Sequence, residues 1–507
     1  MNKSLQKKTE EWMKLERKTL EQRKKAEEYY ELELMDDITM EYIRNNKGTV
    51  TGKVKFLIMS VGTSFEPIVL NISLLQPERI LFLYTEKSEP VLDKVVDFCQ
   101  LRLSRIEKSQ VNETDPTDIY REIKRCYLSW GKPEKIYIDF TGGTKAMSTA
   151  AAMAGAVVHV QMIYVGTRQY MTDFRKPFPG SERLFYISNP MDIFGDLEVD
   201  KAVELFEQYN YAGTREKLRE LKETVPDPSV RQELNFIYLL AQVYENWDAL
   251  DFVNAEASMA ELLRELERDM KNNWKFVLTD LYEELAVQEG YLRYLKEIPD
   301  LTRQKRNAEI LQKKEYIVPL MFTMYQNAMI REYQGKYDMA TLLLYRLLEM
   351  IEQRRLSLYA LFVSRMDYSQ MIMNGKQITE EKFQTIKNKV VELKKELFGK
   401  CNSSYLPEQV SLLEGYILLA ALEDPMIFDE RKGVPMLKRI RMMVSLRNNS
   451  IFAHGLAPVD EGDYQKFSQF VIELFQGFCK LEKINFEVYK KQFQWLSPID
   501  SGYYQKR

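Results

Sequence analysis

The spacing of apolar residues divides the chain into regions of different periodicity. Between residues 51 and 192, short apolar runs alternate with stretches of helical composition. Runs 56–62 and 138–143 are apolar nearly throughout, as expected of strands buried on both faces. The order strand, helix, strand predicts a doubly wound α/β domain with a parallel, Rossmann-like sheet. The predicted strands lie in residues 54–62, 80–86, 104–111, 134–143, 160–167 and 184–188.

Outside this domain the apolar residues recur at helical spacing. Residues 193–329 read as successive helical hairpins and predict a helical linker domain, although no strict repeat is present. Residues 330–507 predict a helical bundle, because positions such as Phe467, Phe470 and Leu474 form one apolar stripe on a helix. Residues 1–50 are rich in both charge signs and predict one or two charged helices. A solvated lid or packing arm is the plainest interpretation of that segment.

Composition narrows the classes of function. Lys and Arg number 72 against 75 Asp and Glu, a net charge of −3, so we expect no stable DNA binding and only local contact with nucleic acid. The four cysteines form no C-x-x-C pair and only two histidines are present, so we expect neither a zinc site nor a disulfide framework. No apolar run approaches the roughly 18–20 residues of a membrane span, and residues 1–18 lack an apolar signal region. We therefore expect a soluble, cytoplasmic protein without a metal.

Two loops that follow predicted strands are candidate ligand sites. Ligands of open parallel sheets bind beyond the carboxyl ends of the strands, where small residues allow a close approach to the backbone. The second loop opens into a helix, so its free N–H groups and Lys145 are suited to a phosphate. No phosphate-binding G-x-x-x-x-G-K-[ST] motif and no G-x-G-x-x-G motif is present in these loops. Arg168 follows a third strand and is either a second cation at this rim or a surface charge. The candidate residues of the two loops are Gly62, Thr63, Ser64, Thr141, Gly142, Gly143, Thr144 and Lys145.

A second constellation, RNNSIFAHG, covers residues 447–455. If this segment were helical, Arg447 and His454 would share one face about 10 Å apart, and two copies related by a dyad would be needed to bring both to one phosphate. Metal-free RNA cleavage needs a cation to stabilise the phosphorane and a group that moves protons. Arg447 suits the first role and His454 the second, and Asn448 can either orient the arginine or contact a phosphate. The alternative is a capping or buried histidine beside Gly455.

Together these motifs resemble the CRISPR-associated ribonucleases that couple a CARF sensor domain to a HEPN effector domain. The resemblance rests on SVGTS at 60–64, DFTGGTKAMS at 139–148, RNNSIFAHG at 447–455 and the helical segment 335–356. It implies a CARF-like sensor at 51–192 and a HEPN-like effector at 330–507. Between them, residues 193–329 form a longer linker than is common in such enzymes.

The resemblance also implies an activity. It implies a homodimer that binds a cyclic oligoadenylate of type III CRISPR defence and then cuts single-stranded RNA without a metal or cofactor, leaving a 2′,3′-cyclic phosphate. Arg447, Asn448 and His454 match the effector motif, and the two sheet loops match ligand positions. Some relatives cleave their messenger in the sensor, for which Thr63, Ser64 and Lys145 are the positions to test.

Two other functions remain open at this point. One is a nonenzymatic nucleotide sensor that recruits a partner through its helices, with Arg447 and His454 structural. The other is a nucleotide-hydrolysing enzyme that acts only at the carboxyl edge of the sheet, although the missing phosphate-loop motifs count against it.

Overall fold

A computed structural model gives the fold of the chain. The model describes residues 3–50, 52–133, 135–157, 160–187, 196–275, 277–399, 406, 408–429, 431, 433–453 and 455–501. The chain forms two compact units, Met1–Phe194 and Gly195–Arg507, which we describe separately. Within the described ranges, no helix combines the length and the apolar composition needed to cross a membrane.

The first unit is built on a six-stranded sheet with the order β3-β2-β1-β4-β5-β8. The strands of this unit are β1 (Phe56–Ser60), β2 (Arg79–Tyr84), β3 (Ile106–Gln110), β4 (Ile136–Asp139), β5 (Gln161–Thr167), β6 (Tyr170–Met171), β7 (Lys176–Pro177) and β8 (Glu182–Ile187). The first five strands of the sheet are parallel, which confirms the predicted Rossmann-like arrangement.

The last strand corrects the expectation of a wholly parallel sheet. Strand β8 pairs with β5 in the antiparallel direction, with Thr167 opposite Glu182. A parallel return requires a crossover that usually contains a helix, whereas an antiparallel neighbour needs only a short turn. The chain between β5 and β8 contains only the small β6–β7 hairpin, so it folds straight back.

Helices cover both faces of this sheet. The helices are α1 (Lys3–Lys14), α2 (Leu20–Tyr29), α3 (Met35–Asn45), α4 (Glu66–Leu75), α5 (Glu89–Phe98), α6 (Pro116–Ser129) and α7 (Lys145–Val157). Leu57 and Met59 of β1 point into a core shared with α1, α3 and α4, whereas Ile58 points into a core shared with α6 and α7. This alternation is what a strand buried on both faces requires.

The charged N-terminal segment is part of this core. It forms three helices rather than the predicted one or two, and a π-helical turn at Tyr30–Leu34 joins α2 to α3. Trp12, Tyr30 and Tyr42 are each no more than 2% exposed and belong to the same apolar cluster as the sheet. The segment is therefore a packed element of the first unit.

The second unit is helical, as predicted from its apolar spacing. A two-stranded ribbon, β9 (Ile372–Met373) and β10 (Lys376–Gln377), is its only pair of strands among the described residues. The helices are α8 (Asp196–Glu207), α9 (Tyr211–Thr224), α10 (Pro228–Asp248), α11 (Phe252–Lys271), α12 (Tyr282–Leu295), α13 (Ile298–Arg303), α14 (Asn307–Gln312), α15 (Lys314–Tyr333), α16 (Tyr337–Ser357), α17 (Glu380–Phe398), α18 (Leu412–Ala421), α19 (Val434–Asn448), α20 (Glu461–Leu481) and α21 (Phe486–Phe493).

One apolar core runs through most of the second unit, and Leu301, Ile310 and Tyr316 form a small separate cluster. The larger core includes Leu240 of α10, Phe322 of α15 and Phe475 of α20. Near the end of the chain, the Trp495 ring stacks on Tyr244 of α10 with a centroid separation of 5.1 Å and an interplanar angle of 6°. The chain after α21 thus packs on the helices that precede the bundle.

A buried ion cluster connects α16 with the chain segments that follow α18 and α20. Arg355 on α16 contacts Asp424 at 2.8 Å and Glu482 at 3.0 Å, and all three side chains are at most 9% exposed. Arg354 also contacts Glu482, at 3.1 Å. Burial alone would raise the pKa of Glu482, but its hydrogen bonds with Arg354 and Lys314 outweigh burial, and the net pKa lies below the ordinary value.

Removing one member of this cluster is expected to destabilise the second unit strongly. Arg355→Gln leaves two buried carboxylates without their shared cation, which costs about 3–5 kcal/mol of unfolding free energy. Urea denaturation checks this loss. The matched control is Arg303→Gln, because Arg303 pairs with Asp300 on the surface and should contribute less than about 1 kcal/mol. Equal stability of the two variants would contradict the assigned role.

Candidate functional site

The two predicted ligand loops lie side by side at the carboxyl edge of the sheet. One loop follows β1 and the other follows β4, and these two strands are neighbours in the centre of the sheet. Strand β2 lies on the other side of β1, so the chain leaves the two strands in opposite directions. This is the topological switch point at which open α/β sheets bind ligands.

Glycines allow the two loops to touch. A Cβ atom at Gly142 would lie 2.4 Å from the carbonyl oxygen of Ser60, and one at Gly62 would lie 2.5 Å from the backbone nitrogen of Gly143. Gly143 itself has a φ of +89°, which side chains disfavour. The Ser60 hydroxyl also donates a hydrogen bond to the Gly142 carbonyl at 2.6 Å. These glycines therefore join the loops into one surface.

The Thr141 side chain points into the protein. Its hydroxyl donates to Oδ1 of Asp139 at 2.5 Å and accepts the N–H of Val165 at 2.8 Å. Its backbone N–H also donates to Asp139 Oδ1, at 2.9 Å. Burial raises the pKa of Asp139, while the bonds from Thr141 and Asn71 lower it in part. Thr141 thus fixes the start of the loop.

Other predicted ligand residues are exposed at the rim. Thr63, Ser64 and Lys145 have exposed side chains, and Lys145 is the first residue of α7. The Thr144 hydroxyl caps that helix by accepting the Met147 N–H at 3.2 Å. Arg168 is exposed just beyond the carboxyl end of β5, the neighbour of β4. Hydroxyls, a cation and a helix N-terminus are thus available to an anionic ligand.

A cavity of about 380 Å³ adjoins the rim of the two loops. A cavity of about 490 Å³ lies in the second unit, away from these loops. Ser64, Tyr30 and Lys176 are among the residues that line the smaller cavity. Lys176 lies between Glu27 and Glu66, and its ammonium is 4.4 Å from the centre of the Tyr30 ring. The sequence analysis did not identify Tyr30 and Lys176 as part of this wall, because Tyr30 comes from the N-terminal segment and Lys176 from a short hairpin.

In the second unit, Arg447 lies near the end of α19. Its guanidinium is 4.4 Å from the centre of the Tyr345 ring on α16, and its Nη1 donates to Oδ1 of Asn448 at 3.3 Å. Burial raises the pKa of Tyr345, and the charge of Arg447 lowers it in part. The arginine is therefore held by an aromatic face that the sequence analysis did not identify.

The chain beyond Asn448 corrects the expectation of one helical face. Helix α19 ends at Asn448, and the carbonyl of Ser450 accepts the N–H groups of Ala453 and Gly455 at 3.0 and 3.1 Å. A Cβ at Gly455 would lie 1.7 Å from the Asn449 carbonyl oxygen, so the loop closes on itself. The spacing of successive helical turns therefore does not apply here. His454 lies outside the described residues.

A substitution at the contact between the loops is expected to disturb the sheet edge. Gly142→Ala places a methyl group against the Ser60 carbonyl, and overpacking of this kind costs about 1–3 kcal/mol. Hydrogen exchange of peptides from β1 and β4 measures the effect as faster exchange. Gly290→Ala serves as the control, because a Cβ there meets no atom within 4 Å. Unchanged exchange in Gly142→Ala would contradict the contact.

Comparisons with known proteins find matches for both helical regions of the chain. Residues 307–477 match the family model of the Csm6 HEPN domain, and residues 194–292 match that of the Csm6 6H domain. The CRISPR system endoribonuclease Csm6 of Thermus thermophilus is 28% identical over 309 residues, which cover 59% of this chain and 62% of that relative. The match therefore spans less than two thirds of the length of the curated relative.

A solved structure shares the fold. Enterococcus italicus Csm6 bound to cyclic hexa-2′-fluoro-hexa-dAMP matches with a TM-score of 0.50 and 12% identity, over 87% of this chain and 98% of that chain. The resemblance inferred from the motifs is thus confirmed at the level of the family. The 6H and HEPN matches follow one another in the sequence, so the helical part of the chain is similar to two consecutive domains of Csm6 proteins.

Proposed function

We propose that the protein is a cyclic oligoadenylate-activated, metal-independent endoribonuclease that cuts single-stranded RNA in type III CRISPR defence. The observation that carries this proposal is the presence of two separate sites in one chain. One is a pair of joined glycine loops at the switch point of the sheet, and the other is Arg447 within the HEPN match. The matched Thermus relative is named an endoribonuclease, and the Enterococcus structure holds a cyclic nucleotide.

The sheet edge is the proposed activator site. Phosphates of the ring accept hydrogen bonds from Thr63, Ser64 and the N-terminus of α7, with Lys145 supplying positive charge. The glycines of the two loops carry no side chains, so the ring can approach the backbone closely. Arg168 adds a second cation if the ring extends along the ends of β4 and β5.

The effector chemistry follows from the groups at the end of α19. The 2′-oxygen of the RNA attacks the adjacent phosphorus, the bond from phosphorus to the 5′-oxygen breaks, and a 2′,3′-cyclic phosphate remains. Arg447 stabilises the negative charge of the phosphorane, while Asn448 and Tyr345 restrict the orientation of its guanidinium. His454 transfers the proton that leaves the 2′-hydroxyl or the proton that the 5′-oxygen takes up. No step requires a metal.

A homodimer is part of the proposal. Next to the Arg447 site, Ile451, Phe452 and Leu456 are exposed by 54%, 55% and 93%. Neighbouring exposed apolar side chains of this kind mark interaction surfaces. A second copy packed here about a dyad would bring two sets of Arg447 and His454 together. Ring binding can activate such a dimer only if the ring binds one arrangement better than another.

Cleavage of a fluorescent single-stranded RNA in EDTA tests the proposed reaction. We expect one of cyclic tri-, tetra- or hexa-adenylate to switch on cleavage, and Arg447→Ala and His454→Ala to reduce it at least about a hundredfold at unchanged ring affinity. Arg439→Ala is the matched control, because Arg439 lies on the same helix but pairs with the exposed Glu473 at 3.0 Å. Ring binding without cleavage by the unaltered protein would instead favour a nonenzymatic sensor.

A substitution in the sensor should have the opposite pattern. Lys145→Ala removes a cation from the rim, so we expect ring affinity to fall about tenfold and cleavage at saturating ring to be retained. Isothermal titration calorimetry and the RNA assay measure the two quantities. Lys53→Ala is the control, because this exposed lysine precedes the amino end of β1. An affinity loss in the control equal to that of Lys145→Ala would refute the assignment.

A further inference from the structure

The N-terminal helices lie outside both matched domains, yet they reach the ligand loop. The matches begin at residue 194, whereas α1, α2 and α3 pack on the sheet of the first unit. Most of this contact is apolar and explains only stability. One polar connection passes through the core and runs from α3 to the loop after β4.

The connection begins at Tyr42 of α3. Its hydroxyl donates to Oδ1 of Asn71 on α4 at 2.7 Å, and Nδ2 of Asn71 donates to Oδ2 of Asp139 at 2.7 Å. Tyr42 and Asn71 are 0% exposed and Asp139 is 2% exposed. These three side chains belong to elements that are far apart in the sequence and have no covalent reason to align.

The connection ends in the loop that we assign to the ligand. Asp139 Oδ1 accepts both the N–H and the hydroxyl of Thr141, and the Thr141 hydroxyl accepts the N–H of Val165 on β5. Gly142, Gly143, Thr144 and Lys145 follow directly. The position of Thr141 therefore sets the path by which the loop enters α7.

Each bond in this chain fixes the direction of the next. An asparagine amide has one accepting and one donating end, and the Tyr42 hydroxyl takes the accepting end. The donating end is thereby directed to Asp139, whose other oxygen remains free to hold Thr141. Without the Tyr42 hydroxyl, the buried Oδ1 of Asn71 has no donor, which costs free energy. Rotation of the Asn71 amide or entry of a water molecule relieves that cost.

We propose that Tyr42 and Asn71 are positioning residues of the sensor, through which α3 holds the loop Thr141–Lys145 in the conformation that binds the cyclic oligoadenylate. This inference rests on the proposed function, because it takes that loop as the ligand site. It assigns the N-terminal helices a part in the affinity of the sensor. A purely structural role would alter stability alone.

Hydrogen exchange tests the inference without a ligand. In the full-length chain, Tyr42→Phe should increase exchange of the peptide that contains Thr141, since the Thr141 N–H loses a rigid acceptor. Tyr29→Phe is the matched control: it removes the same atom from the same segment, but the Tyr29 hydroxyl donates to the exposed Glu11 at 2.9 Å. Exchange at Thr141 equal to that of the unaltered chain would overturn the inference.

Ring affinity provides the second readout. Each protein is titrated with cyclic tri-, tetra- and hexa-adenylate, and RNA cleavage is measured against ring concentration. We expect Tyr42→Phe and Asn71→Leu to bind the ring about fivefold to tenfold more weakly, with the activation midpoint shifted equally and cleavage at saturation unchanged. Tyr29→Phe should match the unaltered chain. Because Tyr42→Phe preserves shape, it remains informative even if Asn71→Leu fails to fold.

The possible failures are distinguishable. If the unaltered chain binds a ring and a folded Tyr42→Phe binds it equally well, the positioning role is wrong and the proposed function stands. If the unaltered chain binds none of the three rings, the proposed function fails, and the inference is rejected with it.

Discussion

The arrangement of the sensor depends on one backbone contact, the approach of the loop after β4 to the end of β1. Gly142 lies against the Ser60 carbonyl and Gly62 lies against Gly143, so a side chain at Gly62 or Gly142 would separate the loops. This contact requires β1 and β4 to be neighbours, which the strand order provides. It also sets where Lys145 begins α7, and thus the position of the helix N-terminus at which we propose that the ligand binds.

Much of this arrangement was predictable from the sequence, and the rest was not, for physical reasons. Buried strands are recognisable in a sequence as apolar runs. Because the loops that follow parallel strands lie at one edge of the sheet, the sequence predicts that the two glycine loops lie together. An apolar run carries no direction, so the reversal of β8 was missed. The sequence left open whether residues 447–455 are helical, because the bonds to the Ser450 carbonyl that follow the end of α19 at Asn448 have no simple sequence signal. The contribution of Tyr42 depends on partners 29 and 97 positions away, which no local pattern reveals.

The second unit has a different constraint. Its core is continuous from the helices of the 6H match to those of the HEPN match, and Trp495 closes it by stacking on Tyr244. The buried cluster around Arg355 adds directional contacts within the bundle. Because their side chains share this core, the helices of the 6H match pack directly on those of the HEPN match.

We propose that occupancy of the sheet edge controls RNA cleavage at the Arg447 site. The most direct test of this proposal is to measure ring binding and RNA cleavage on one preparation in EDTA, across a titration of the ring that binds. We expect cleavage to be negligible without the ring and to rise in proportion to the occupancy of the ring site. Full cleavage in the absence of the ring, or a saturated sensor without cleavage, would contradict the proposal.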